Sequence, residues 1–208
     1  MSARLLRLAA IISLSVGGAA SAEQAEHLAS AMSKFAEISV TNYVLVFDHP
    51  EATASERRPI GPALTLVVDF LAETSSFPVP TALPRVEFAS SAQIAAVPYR
   101  DLSSEPELLS FSFSNKANAL DMAYDDARGV LYLSEFWSGG SPAEFSVLVH
   151  GLVNHAQREA GLVYACAQER EQVAYAARDV WLRPFGQTAQ AVLGFDKEAF
   201  MLSTQCIP

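Results

Sequence analysis

The chain has 208 residues, half of them hydrophobic and 18% charged, which excludes a disordered polypeptide and allows one domain with a real core. Lysine plus arginine is 14 against 23 for aspartate plus glutamate, a net charge of −9. That balance offers no general attraction to phosphate, so no nucleic-acid partner is expected.

Residues 1–22, MSARLLRLAAIISLSVGGAASA, carry Arg4 and Arg7, an apolar run from Leu8 to Val16, and then Ala20-Ser21-Ala22. This is the layout of a secretory signal peptide with small residues at the cleavage site. The run is too short to span a bilayer as a helix; an uncleaved anchor is the alternative. Cleavage removes two arginines and no acids, so a mature chain from Glu23 has 186 residues and its net charge moves from −9 to −11. A periplasmic or secreted location is expected. No later stretch is apolar for long enough to cross a membrane.

Residues 23–80 read as a helical and extended N-terminal region. EQAEHLASAMSKFAE places Leu28, Met32 and Phe35 at helical spacing. Val40 to Asp48 is β-branched and aromatic, which favours a strand. Pro62 can start a helix that continues through ALTLVVDFLAE, and SSFPVPTALP is a proline-rich connector.

Residues 81–208 form the expected main domain. RVEFA is a short strand, and SSAQIAAV is a helix opened by Ser90 or Ser91 as N-cap. Residues 99–118 read as loop. In ALDMAYDDARGVLYLSEFW, two alternating runs flank Asp125 to Gly129, the pattern of a β-hairpin. The acids Asp121, Asp125 and Asp126 lack the spacing of a calcium loop and are expected in a solvated turn. Next, Ser141 suits an N-cap, Pro142 the first helical position and Glu144 the third. That helix should run to Gly161, with an apolar face of Phe145, Leu148, Val149, Leu152 and Ala156. A second helix is expected from about Tyr164 to Arg183, before Pro184 and Gly186, and a last one over Asp196 to Leu202. Cys166 and Cys206, an even pair in an exported chain, suggest a disulfide worth roughly 3–4 kcal/mol in the chain-entropy model; two separate buried thiols are the alternative.

The segment with chemical content is HGLVNHAQ, His150 to Gln157, in the middle of the Pro142 helix. His150 and Asn154 are four residues apart and share a face, whereas His155 lies about 140° around from His150. The layout resembles the His-Glu-x-x-His helix of a small exported bacterial zincin-like, gluzincin-type metallopeptidase family of unknown substrate. Members of that family read like LVHELVHHLQ, followed by a cysteine and an acidic helix like REKxAYxxQxxWL. This chain reads LVHGLVNHAQ and then CAQEREQVAYAARDVWL, and the likeness extends over about 100 residues, from Pro84 to Gly186.

The resemblance implies an α+β fold, with a small mixed or antiparallel sheet packed on the motif helix and the acidic helix after it. It also implies roles. His150 matches the first zinc ligand and Glu171 the third. Gly151 stands where the general-base glutamate belongs, and Asn154 stands where the second histidine belongs. Glycine accepts no proton, and a neutral amide oxygen is a poor zinc ligand beside imidazole. His155 could replace Asn154 only through a π-bulge. Glu159 lies on the face opposite His150 and about 13 Å along the helix, and Glu169 falls on a different face from Glu171, so neither is a substitute base. Tyr175 and Trp181 are expected as core or cleft walls.

The chain also lacks a phosphate-binding glycine loop and a Gly-x-Ser-x-Gly elbow. The expectation is therefore an impaired metallopeptidase homologue that binds a peptide or an envelope protein. In it, zinc has been lost and His150 and Glu171 remain as a hydrogen-bonded pair; a weakened zinc site made of His150, Glu171 and Asn154 is the alternative to that pair. An active zinc peptidase with an atypical site and a ligand-free envelope domain are the alternatives.

Overall fold

Leu131 and Leu133 of the central strand are completely buried in the main hydrophobic cluster. The computed structural model describes residues 26, 29–37, 60–74, 78–97 and 120–194. In chain order these give helix α1 (residues 29–37), α2 (Ile60–Thr74), strand β1 (Arg85–Ala89), α3 (Ser91–Ala95), β2 (Met122–Asp125), β3 (Val130–Ser134), α4 (Pro142–Glu159), α5 (Ala167–Leu182), a 3₁₀ turn (Arg183–Phe185) and α6 (Ala189–Leu193). The architecture is mixed α+β, with a small three-stranded mixed sheet and several helices.

The sheet order is β1-β3-β2. β3 pairs in parallel with β1, Arg85 opposite Val130 and Ala89 opposite Ser134. It pairs antiparallel with β2, Met122 opposite Leu133 and Asp125 opposite Val130. The expected hairpin is present. Its turn closes with Gly129 at φ 65, a left-handed conformation that favours glycine, and the Gly129 N–H donates to the Asp125 carbonyl. Both faces of β3 are buried. Leu131 and Leu133 face the main core, while Val130 and Tyr132 pack with Ala89 and Ile94 beneath α3. A central strand covered on both sides reads as a continuous apolar run, as VLYL does.

α4 starts as its sequence predicts. Ser141 is the N-cap, accepting from the Glu144 N–H, and Pro142 occupies the first turn. The Glu144 carboxylate in turn accepts from the Ser138 and Gly140 N–H groups, so the loop before the helix is tied to its first turn. Gly161, at φ 61, follows the helix. The amphipathic expectation is too modest, however. α4 is buried all the way round from Glu144 to Gln157, because α2, the sheet and α5 enclose it on different sides.

α1 and α2 belong to this same core. Phe35 meets Phe145 edge-on with ring centroids 4.9 Å apart, and Phe70 meets Trp181 edge-on at 5.1 Å. Phe145 stacks on Trp181 at 5.7 Å. Described residues on both sides of residue 80 thus share one hydrophobic cluster. Trp181 is core, as expected.

Elsewhere the boundaries shift. α2 begins at Ile60, with Pro62 inside the first turn, where its missing N–H costs nothing. α3 is capped by Ser90 through a full capping box with Gln93. α5 begins at Ala167 rather than Tyr164, and Gly186 at φ 68 ends the turn that follows it. α6 is an addition: Thr188 caps five residues, too few for periodicity to reveal. The expected strand over Val40–Asp48, the loop over 99–118, the helix over Asp196–Leu202 and the signal segment lie outside the described residues.

Candidate functional site

Two polar stripes meet along the contact between α4 and α5. Ser146, His150 and Asn154 repeat every four residues on α4, so they share one face. Glu171, Tyr175 and Arg178 repeat at four and three on α5 and share another. The helices pair in opposite directions. Asn154 meets Glu171, His150 meets Glu171 and Tyr175, and Ser146 meets Arg178.

Glu171 is the hub. His150 Nε2 lies 2.9 Å from Glu171 Oε2, and Asn154 Nδ2 donates to Glu171 Oε1 at 3.5 Å. All three residues are buried: His150 is 4% exposed, Asn154 3% and Glu171 6%. With Glu171 ionised, Nε2 carries the imidazole proton. The His150 ring stands edge-on to Tyr175 at 5.0 Å. Among the described residues, the buried side-chain atoms left without a hydrogen-bond partner are His150 Nδ1 and Asn154 Oδ1, both in this seam. Such atoms cost free energy and are rare in native interiors.

Arg178 closes the other end of the seam. Its Nε and Nη2 donate to Ser146 Oγ at 3.3 and 3.1 Å, and its guanidinium carbon lies 5.7 Å from the centre of the Tyr175 ring. Burial pushes the Arg178 pKa down, and Tyr175, Glu171 and Asp179 oppose that shift. A guanidinium remains charged even so. Glu171 and Asp179 are the carboxylates that favour its charge.

The sequence brings His150, Asn154 and Glu171 together as read, and it leaves Gly151 and His155 out. Position 151 faces the sheet. A Cβ built on Gly151 would stand 2.4 Å from Leu131 Cδ1, 2.8 Å from Cδ2 and 3.2 Å from Cγ. The Leu131 side chain occupies the space that a Cβ at 151 would need.

His155 points to the N-terminal side of β1. Its Nε2 donates to the Ala82 carbonyl at 2.8 Å, and its Nδ1 therefore accepts from the Tyr124 hydroxyl at 2.7 Å in the neutral ring. Both ring nitrogens are committed, so the imidazole is not available to the seam. Glu159 supports the same segment, accepting from the Thr81 and Ala82 N–H groups, and Glu169 accepts from the Ala165 N–H.

The acidic turn is not solvated as expected. Asp121 and Asp125 are buried, and Asp126 takes both guanidinium nitrogens of Arg170, which also donates to the Asn154 carbonyl at 2.8 Å. The turn is thereby fastened to the end of the seam. No group of three or more metal-ligating side chains occurs among the described residues, the acids of this turn included. Cys166 precedes α5, and its expected partner Cys206 lies outside the described residues.

Sequence reading alone does not find Ser146, Arg170, Arg178 and Leu131. Spacing could have found Ser146, four residues before His150, and Arg178, seven after Glu171. Leu131 could not be found, because it is joined to Gly151 only through tertiary packing.

Residues 62–208 match the family described as a domain of unknown function, DUF6647, and the chain belongs to that family. No curated protein and no solved structure matches it.

Proposed function

We propose that this member of the DUF6647 family is an exported, zincin-like protein in which hydrolysis has given way to binding of a peptide or an envelope partner. The observation that carries the proposal is the direct 2.9 Å contact of His150 Nε2 with Glu171 Oε2. A tetrahedral zinc with ligand bonds near 2.0–2.2 Å holds two such donors about 3.3–3.5 Å apart. The observed separation is that of a hydrogen bond between the two would-be ligands. A catalytic zinc also needs a third protein ligand and an open position for water. At the position of the second histidine, Asn154 directs its amide nitrogen, a donor, towards Glu171. The residues present do not fit a catalytic zinc, and no metal step is derived.

What the seam retains is order. Glu171 holds α4 to α5 through His150 and Asn154, and Arg178 does the same through Ser146. A buried polar frame of that kind can survive the loss of its chemistry, because a buried histidine–carboxylate pair still satisfies most of its polar atoms without metal.

The test is the metal content and peptidase activity of the purified mature chain. Less than stoichiometric zinc after dialysis, and no chelator-sensitive cleavage of casein, are expected. One tightly held zinc per chain with cleavage abolished by chelation would establish an active peptidase with an atypical site and overturn the proposal.

A further inference from the structure

We infer that Leu131 of β3 closes the position from which a zincin-type general base would act, so that the loss of the base is fixed by the packing of the sheet on α4. The chemical half of this inference rests on the zincin-type reading of α4. The packing half does not.

The argument starts from directions on one helix. His150 and Asn154 face α5, where Glu171 lies, whereas position 151 is turned about 100° from His150 and about 60° from Asn154. That turn aims it at Leu131, whose Cδ1 would stand 2.4 Å from a Cβ at Gly151. Real Cβ contacts are never that short, so even a methyl group must displace Leu131. Leu131 has little freedom to move, since it is completely buried in the main cluster beside Leu133, Leu148 and Leu152. β3 is also held on both edges, by β1 and β2, so its backbone cannot retreat without breaking two ladders.

The two departures from the family pattern are therefore different in kind. Asn154 is a local replacement, and a histidine there would still face Glu171. Gly151 is one half of a packed pair whose other half is 20 residues away in the sequence. Restoring a glutamate at 151 requires a change at 131 as well.

A thermal-unfolding cycle tests this. In the full mature chain, Gly151→Ala should lower Tm by at least about 4 °C through overpacking. In a Leu131→Ala background the same change should leave Tm unchanged or raise it, because the methyl enters vacated space and alanine is the better helix former. Leu131→Val serves as a second background if Leu131→Ala does not fold. An unchanged or higher Tm for Gly151→Ala with Leu131 in place overturns the inference.

Zinc affinity, read by competition with a chromogenic chelator, is the other arm. Asn154→His should bind zinc at least about tenfold more tightly than the wild type by adding a third ligand. No gain would defeat the zincin-type reading while leaving the Tm cycle to judge the packing. A Gly151→Glu/Asn154→His double variant that folds with wild-type Tm and cleaves casein in a zinc-dependent manner would also overturn the inference.

Discussion

Glu171 serves two neighbours directly and balances a third, so the seam depends on the charge of one carboxylate. Glu171→Gln keeps the shape but removes one of the two carboxylates, Glu171 and Asp179, that favour the buried Arg178 cation. Removing one partner from such a set is strongly destabilising, and a loss of about 2–4 kcal/mol is expected, measured by urea unfolding. A loss below about 0.5 kcal/mol would mean that Arg178 is neutralised elsewhere. Legibility at this scale was uneven. The spacing of His150 and Asn154 was enough to put them on one face, since helical geometry fixes which residues share a face, whereas Glu171 was joined to them only by the family resemblance. Gly151 was readable only as an anomaly: glycine costs about 1 kcal/mol in a helix relative to alanine, and nothing local repays it. The reason, Leu131, lies on another element.

The elements carry their own signals, and α4 has the clearest set. Ser141 caps it, and Ser141→Ala should cost about 1 kcal/mol in urea unfolding. Recovery of that loss by Ser141→Asp, another good cap, would identify the cap as its cause. The C-terminal end of α4 binds the segment before β1 through Glu159 and His155. Burial alone would raise the Glu159 pKa. The Thr81 and Ala82 N–H groups, His155 and the Thr81 hydroxyl outweigh it, and the net shift is downward from 4.5. A carboxylate with a lowered folded pKa stabilises the fold above its ordinary value and loses that contribution as pH falls through the lowered one. The Tm difference between wild type and Glu159→Gln should therefore be constant at neutral pH and shrink as the solution is acidified below 4.5. A pH-independent difference would show that the carboxylate's charge is not what holds Thr81 and Ala82. Here too local readings had limits. The turn acids look solvated in sequence because they fall in a polar turn, yet Asp126 meets Arg170 from 44 residues away.

At the scale of the whole molecule, Phe35 on α1 and Leu133 on β3 lie in one hydrophobic cluster. Phe35→Ala should cost about 3–5 kcal/mol by truncating a buried aromatic ring, within the same single unfolding transition that Leu133→Ala displaces. Two resolved transitions would mean that the N-terminal helices form a separate unit. Expressed with its first 22 residues and exported, the chain is expected to begin at Glu23 and to weigh two hydrogens less than its reduced form, as intact-mass spectrometry will show. By itself the sequence determined the local order of helices and strands and the caps of α4, which follow from short-range periodicity and from side chains a few residues apart; the meeting of His150 with Glu171 was implied only by the family resemblance. The tertiary structure alone decided that α4 is buried on every side, that α1 and α2 join its core, and that Leu131 fills the space over Gly151. Those facts depend on which distant surfaces come within van der Waals reach, and in the sequence the packing of Leu131 over α4 shows only as a glycine with no local reason.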